Sequence, residues 1–131
     1  MIDLVNAERR KAGVPELKVS PKLCEAARIR AKESTCKSGH TRPNGTWCET
    51  ILEDVNLMYY KIGNITNTVA YGENQVVGNH KNISASTALK GLLNSPQHKK
   101  IMLSDLNLYI GIAYVENNGN SSWIQSFGYL Q

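Results

Sequence analysis

The chain has 131 residues, a length that one hydrophobic core commonly serves, so we expect residues 1–131 to form a single domain. Hydrophobic residues make up 41% and charged residues 20%, a balance typical of globular proteins and too polar for a chain that lives in lipid. The longest apolar runs are a few residues, which excludes a predicted transmembrane segment.

The net charge of +4 comes from the first part of the chain, because residues 1–50 carry ten Lys and Arg against six Asp and Glu, whereas residues 51–131 carry five of each. This excess predicts either two solvated helices or attraction to an anionic partner, such as a cell-wall component or a lipid headgroup. No aromatic residues alternate with the basic ones, so a nucleic-acid partner is not expected. The residues after Met1 lack the basic and apolar regions of a secretory signal, and we expect any such signal to have been removed.

Two helices are predicted at the start of the chain. The first covers residues 2–12 and ends at Gly13, with Pro15 just beyond, which is the usual helix stop. Ser20-Pro21 supplies an N-cap and a first-turn proline for a second helix over residues 21–35. Its apolar stripe consists of Leu23, Ala26, Ala27 and Ala31. These small side chains predict close packing on a flat surface.

The middle of the chain has weaker patterns. Residues 47–58 have helix-compatible spacing of apolar side chains, whereas residues 61–68 are rich in Gly, Asn and Thr and predict an exposed loop. Residues 69–77 have the pattern of a strand. Gly72 within that strand indicates a bulge or a close approach of another backbone.

The C-terminal part predicts two helices followed by a hairpin. From Ser84 onward the apolar residues follow the helical rule without a gap, and Asn94-Ser95-Pro96 then ends this helix and caps a short one through Met102. Residues 108–115 and 122–130 have the pattern of two strands that a turn joins. Together the elements predict an α+β protein, a three-layer α/β/α sandwich with a small antiparallel central sheet.

The three cysteines, Cys24, Cys36 and Cys48, are an odd number without a CxxC pair, which excludes a zinc knuckle and a thioredoxin motif. A helix that continued to Cys36 would place it about 18 Å from Cys24, beyond the reach of a disulfide. We therefore expect a disulfide between Cys36 and Cys48, closing a loop around His40 and suiting an exported protein. Three reduced thiols are the alternative.

Two histidines and one glutamate are candidates for a site. His40 lies among turn residues, His98 begins a capped helix, and Glu73 lies in a glycine-flanked strand. Two imidazoles and a carboxylate suit zinc and leave a fourth position for water, although the spacing matches no local metal motif. His80, in a polar loop, is expected to be solvated. No GxSxG segment is present and no cysteine has a recognisable protease setting, so a nucleophilic mechanism has little support.

Six segments carry a family resemblance in chain order. They are Leu4-Val5-Asn6-Ala7-Glu8-Arg9, Ser38-Gly39-His40-Thr41-Arg42-Pro43-Asn44-Gly45, Gly72-Glu73-Asn74, Asn94-Ser95-Pro96-Gln97-His98, Ile110-Gly111-Ile112-Ala113-Tyr114 and Trp123-Ile124-Gln125-Ser126-Phe127-Gly128. Together they resemble the CAP superfamily of cysteine-rich secretory proteins, antigen 5 and pathogenesis-related proteins, and especially its bacterial SCP-like branch. The resemblance covers nearly the whole chain.

The resemblance implies an α/β/α sandwich, export from the cell, and one cleft lined by His40, Glu73 and His98. In many members of the family two histidines and two glutamates form a tetrad there that holds a divalent cation. Residues 83–97, where the second glutamate belongs, contain no Asp or Glu, so the tetrad is reduced to a triad. This set suits Zn²⁺ better than a hard cation, because zinc accepts nitrogen ligands readily. Glu49 is a possible substitute.

Three functions are compatible with this resemblance, because a shared fold leaves activity to local detail. We favour a non-enzymatic extracellular binding module, a monomer whose cleft holds a cation or a small ligand. A metal-dependent hydrolase of the peptidase kind, with Glu73 as general base, is the first alternative. A sterol or lipid carrier is the second.

Overall fold

A computed structural model describes residues 1–57, 60–62, 65–67 and 71–129, and for 60–62 and 65–67 we describe the backbone alone. The helices are α1 (Ile2–Lys11), α2 (Pro21–Cys36), α3 (Ile51–Asp54), α4 (Ala85–Leu93) and α5 (Pro96–Met102), with a 3₁₀ turn over Cys48–Thr50. The strands are β1 (Lys18–Val19), β2 (Tyr60–Ile62), β3 (Ile65–Asn67), β4 (Gly72–Gly78), β5 (Tyr109–Asn117) and β6 (Asn120–Gly128). None of the described helices combines the length and the apolar character that a membrane crossing requires.

The main sheet has the strand order β1-β5-β6-β4. A tight turn at Asn118-Gly119, where φ is 54° and 76°, joins β5 to β6, and positive φ at both positions is what a two-residue hairpin turn requires. β4 lies antiparallel to β6 on the other side. The predicted antiparallel sheet is thus confirmed for the three long strands. The sequence did not reveal β1, which pairs parallel to β5 and has only two residues.

Helices cover both faces of this sheet, which confirms the predicted α/β/α sandwich. On one face α2 packs against the sheet and α3. The buried residues of this layer are Leu23, Ala26, Ala27, Ala31, Ile51, Leu52, Val55, Leu57 and Ile124. On the other face α1, α4 and α5 share a second core. Its buried residues are Val5, Leu17, Leu89, Leu92, Met102, Ile110 and Phe127.

Among the described glycines, Gly111 of β5 has the closest backbone neighbour, which is α2. A side chain at Gly111 would place its Cβ 2.0 Å from the backbone carbonyl carbon of Leu23. The buried alanines of α2, Ala26, Ala27 and Ala31, keep the rest of the helix equally close to the sheet. The small-residue stripe thus does what the sequence predicted.

The segment after His40 differs from its prediction. The predicted helix over residues 47–58 is a 3₁₀ turn and one turn of α3, which ends before Asn56 at a φ of 55°. The predicted loop over residues 61–68 contains β2 and β3, which pair antiparallel from Tyr60–Asn67 to Ile62–Ile65. Short strands pair through their backbones, so their Gly, Asn and Thr content did not reveal them. Residues 58, 59, 63, 64, 68–70, 130 and 131 lie outside the described residues, and with them the ends of the predicted strands over 69–77 and 122–130.

Both interpretations of the net charge assumed that the basic residues of the first fifty lie at the surface. Three of them do not. Arg9, Arg30 and Arg42 are buried. Arg9 donates to the carbonyl oxygens of Pro15 (2.7 Å) and Met102 (2.7 Å), so it ties α1 to the end of α5. The other two arginines belong to the site described below.

We predict that Gly111→Ala destabilises the protein by at least about 3 kcal/mol, because the added methyl group meets the backbone of α2 and not a movable side chain. The matched control is Gly91→Ala in α4, where a Cβ meets nothing within 4 Å. That change should stabilise the helix by about 0.8–1 kcal/mol. Urea unfolding of the three proteins measures both values, and equal effects of the two substitutions would contradict the close contact.

Candidate functional site

Glu73 lies at the centre of the site, on β4, with its side chain 1% exposed. Arg30 of α2, whose side chain is fully buried, donates from Nε to Glu73 Oε2 (2.8 Å) and from Nη2 to Oε1 (2.9 Å). Tyr71 donates its hydroxyl to Oε2 at 3.0 Å. The carboxylate is therefore held by two parallel bonds from a charged guanidinium and a third bond from a neutral hydroxyl.

The Arg30 guanidinium extends the network toward the surface. Its Nη1 donates to Glu33 Oε2 (2.7 Å), and Nη2 also donates to the carbonyl oxygen of Gly39 (2.9 Å). Glu33 in turn accepts from Arg42 Nη2 (2.8 Å), which also donates to Asp54 (2.7 Å). Three carboxylates and two guanidiniums thus form one continuous chain from β4 to α3.

These contacts shift pKa values in both directions. Burial alone would raise the pKa of Glu73, but the hydrogen bond from His40 and the bonds and charge of Arg30 outweigh it and lower the pKa. Burial alone would lower the pKa of Arg30, but Glu73 and Glu33 raise it above its ordinary value. Burial and the charge of Glu73 raise the pKa of Tyr71. Glu73 is ionised at neutral pH, and Tyr71 is a neutral donor to it.

His40 reaches Glu73 from a loop. Its Nδ1 lies 3.1 Å from Glu73 Oε1, and since an ionised carboxylate only accepts, Nδ1 is the donor. Gln75, two residues after Glu73 on β4, uses both the oxygen and the nitrogen of its side-chain amide to bind the backbone of Gly39, next to His40. It accepts from the Gly39 amide (2.7 Å) and donates to the Gly39 carbonyl (3.2 Å). One face of β4 therefore fixes both the ring and the backbone of this loop.

The loop after His40 closes on itself. Thr41 and Trp47 form an isolated antiparallel bridge, and the Arg42 amide donates to the carbonyl oxygen of Thr46 at 2.8 Å. Trp47 is 55% exposed, and its ring centre is 6.0 Å from that of His40. The closed loop brings residue 48 back beside residue 40.

Cys48 is buried at the start of the 3₁₀ turn, on the side of His40 and Glu73. The predicted disulfide with Cys36 is wrong for this structure: Cys24, Cys36 and Cys48 are all free. Cys36 is exposed at the end of α2, near Thr35 and Asn117, whereas Cys48 is turned inward. Burial and the charge of Glu73 raise the pKa of Cys48 to about 12, so at neutral pH it is a protonated thiol.

His98 lies in the first turn of α5 and is half-buried. Its backbone carbonyl accepts from Asn74 Nδ2 at 3.0 Å, and the same amide donates to Gln125 at 3.1 Å. Burial and the charge of His40 lower the pKa of His98, so His98 is neutral at neutral pH. Two successive residues of β4 thus bind the two histidines. Glu73 binds the ring of His40, and Asn74 binds the backbone carbonyl of His98.

Among the described residues, three side chains lie close enough together that they could hold a metal ion. A ring nitrogen of His40, the Sγ of Cys48 and a carboxylate oxygen of Glu73 all lie within 4.8 Å of one another. Imidazole, thiolate and carboxylate together are donors that suit zinc. The donor set therefore fits a divalent transition-metal cation, with a cysteine where the sequence had suggested His98 or Glu49.

The three residues predicted from the sequence are all accounted for. His40 and Glu73 are in contact, and His98 is held by the residue after Glu73. His80 is exposed, as expected. The prediction that His40, Glu73 and His98 share one metal ion stays a prediction.

The sequence analysis missed Arg30, Gln75 and Cys48 as parts of the site. Gln75 had a usable signal, since residues two apart on a strand share a face and Glu73 was already a candidate. Arg30 lies 43 positions before Glu73, and a helix pattern does not show which strand residue it will meet.

Comparisons with known proteins agree with this architecture. A family model described as CAP, the cysteine-rich secretory protein family, matches residues 2–127. The uncharacterized protein YkwD of Bacillus subtilis is 26% identical over 129 residues, which are 97% of this chain and 45% of that protein. The chain thus spans about half the length of that curated relative.

Two solved structures show the same fold. An outer surface protein of Borrelia burgdorferi is 17% identical with a TM-score of 0.79, over 99% of this chain and 90% of that one. An extracellular protein of Bacillus anthracis that contains a SCP domain is 21% identical with a TM-score of 0.78, over 97% of this chain and 38% of that one. The fold predicted from the sequence is confirmed by these likenesses.

We predict that Glu73→Gln destabilises the protein by about 3–5 kcal/mol, because it removes a charge that balances the buried Arg30. The matched control is Glu8→Gln, whose pair with Lys11 is solvent-exposed and contributes little. Guanidinium or urea unfolding measures the difference in the free energy of unfolding. An equally small effect of both substitutions would contradict a central role for the buried pair.

The same variant predicts the pH dependence of stability. Since the pKa of Glu73 is lowered in the folded protein, its contribution is complete above the ordinary value of 4.5 and is lost as the pH falls through the folded value. The stability difference between wild type and Glu73→Gln should therefore shrink below pH 4.5. Unfolding curves over a pH series test this. A difference that is constant into the acid range would show that the pKa is not lowered.

Proposed function

The chain belongs to the cysteine-rich secretory protein (CAP) family, and from this premise we propose that it is an extracellular binding module whose site takes a divalent transition-metal cation. The hydrogen bond between His40 and Glu73 carries the proposal. A carboxylate that accepts from one nitrogen of an imidazole fixes the tautomer and leaves the other nitrogen as a ligand, which is how metal-binding histidines are commonly oriented. His98 is a second neutral imidazole nearby.

The state of the other side chains supports binding over hydrolysis. Both oxygens of Glu73 accept from Arg30, so this carboxylate is a poor general base. Cys48 has a pKa of about 12, which makes it a poor nucleophile in the absence of a cation. Neither Glu73 nor Cys48 is therefore in a state that favours proton transfer or nucleophilic attack.

In the part of the chain that the structure describes, the pocket beside Tyr71 gives little support to lipid carriage. An open pocket of about 220 Å³ lies beside Tyr71, Ile101 and Leu106. Sites for drug-sized ligands usually measure about 300–1,000 Å³ and enclose most of the ligand. This pocket is too small and too open to take a sterol.

The proposed location outside the cell agrees with two structural relatives, of which one is an outer surface protein and one an extracellular protein. A site exposed to extracellular fluid would meet free divalent cations and cell-wall components. The free state of the three cysteines agrees with either side of the membrane.

Calorimetric titration with Zn²⁺ tests the proposal. We expect one cation per chain, with His40→Ala and His98→Ala each weakening binding at least about tenfold. At a zinc concentration 100 times the Kd, binding should stabilise the fold by about 2.7 kcal/mol. His80→Ala, in an exposed loop, is the matched control and should bind like wild type. A wild-type protein that gives neither heat nor a thermal shift with zinc would overturn the proposal.

A further inference from the structure

Cys48 is a buried thiol that the binding of a cation by two histidines does not require. Its side chain is 5% exposed, yet it does not belong to the apolar core clusters that hold the two layers together. It faces His40 and Glu73 instead, and the three ligand atoms lie within 4.8 Å of one another. A buried thiol among polar side chains calls for an explanation other than packing.

We propose that Cys48 is a ligand of the same cation as His40, bound as a thiolate whose proton passes to solvent when the sulfur–metal bond forms, and that it makes the site selective for soft and borderline transition metals. This inference rests on the proposed function and specifies its ligand. Cys48 is not one of the two histidines and two glutamates that the family resemblance implies.

The distances suit one ion. A cation bound to sulfur at about 2.3 Å and to nitrogen or oxygen at about 2.0–2.2 Å keeps its ligand atoms within about 4.5 Å of one another. The group of His40, Cys48 and Glu73 already meets a limit of 4.8 Å, so only small side-chain movements are needed. The loop between His40 and Cys48 is closed by the Thr41–Trp47 bridge, so the two donors are held together before a cation arrives.

The charge balance favours a thiolate as well. The ion-pair chain of Glu73, Arg30, Glu33, Arg42 and Asp54 contains three carboxylates and two guanidiniums, which leaves one negative charge. A thiolate at Cys48 adds a second, and a dication neutralises both. A thiolate ligand therefore adds negative charge where a dication would lie near the buried Arg30.

The chemical nature of the donors sets the selectivity. Thiolate and imidazole prefer zinc, cobalt, cadmium or copper, whereas magnesium and calcium prefer an all-oxygen shell. Glu73 is the oxygen donor of the group, and Arg30 already occupies its oxygens. The site should therefore take Zn²⁺ or Co²⁺ and reject Mg²⁺ and Ca²⁺.

Titration with Co²⁺ tests the thiolate directly, in the presence of a phosphine reductant. Thiolate ligation gives an intense sulfur-to-cobalt charge-transfer absorption in the near ultraviolet, which imidazole and carboxylate ligands do not give. We expect this absorption in the wild-type protein and its loss in Cys48→Ser. Zinc affinity of Cys48→Ser should fall by more than the roughly 10–100-fold that loss of an outer partner costs. Cys36→Ser, at an exposed cysteine, is the matched control and should keep both.

The outcomes separate this inference from the proposed function. Wild-type protein that binds no cation overturns both. Wild-type protein that binds Co²⁺ without the charge-transfer absorption, or whose absorption survives in Cys48→Ser, overturns only the thiolate ligand and leaves the histidine site standing. Because the wild-type spectrum needs no variant, a folding defect in Cys48→Ser does not prevent the decision.

Discussion

The ion pair between Arg30 and Glu73 is the interaction on which the site depends. Removing two charges from water is costly, and the cost is recovered only when each hydrogen-bonding group finds a partner. Here the Arg30 guanidinium reaches Glu73, Glu33 and the Gly39 carbonyl, so the pair joins α2, β4 and the His40 loop. An error in the position of any one of them would leave a buried charge unpaired.

Side chains of β4 form hydrogen bonds with elements on both sides of the sheet. Glu73 and Gln75 point to the layer of α2 and hold the His40 loop, whereas Asn74 holds the start of α5 and thereby His98. Alternation along a strand thus joins two histidines from distant parts of the chain to β4, the ring of His40 through Glu73 and the backbone of His98 through Asn74. The close contact of α2 with Gly111 keeps Arg30 at the right depth for this arrangement.

Local patterns predicted what local physics determines. The N-caps at Ser20 and Ser84 accept hydrogen bonds from Leu23 and Thr87, and the helices they begin lie where the periodicity placed them. Family resemblance was needed to bring His40, Glu73 and His98 together, because no spacing rule links them. The partners of Arg30 and the orientation of Cys48 are set by tertiary contacts, and the disulfide prediction failed for the same reason. Sequence spacing showed which cysteines were too far apart along a helix, and it did not show which way a loop turns.

The parallel pairing of β1 with β5 joins Lys18 to Tyr109 and so connects the two ends of the chain. The surface on which α2 lies is made of β5 and β6, which follow α2 by more than seventy positions in the sequence. Until they appear, α2 has no sheet to pack against. Folding must therefore wait for nearly the whole chain and proceed through contacts distant in sequence, which is slow. A chain that crosses a membrane unfolded would therefore stay unfolded until the β5–β6 hairpin has also crossed.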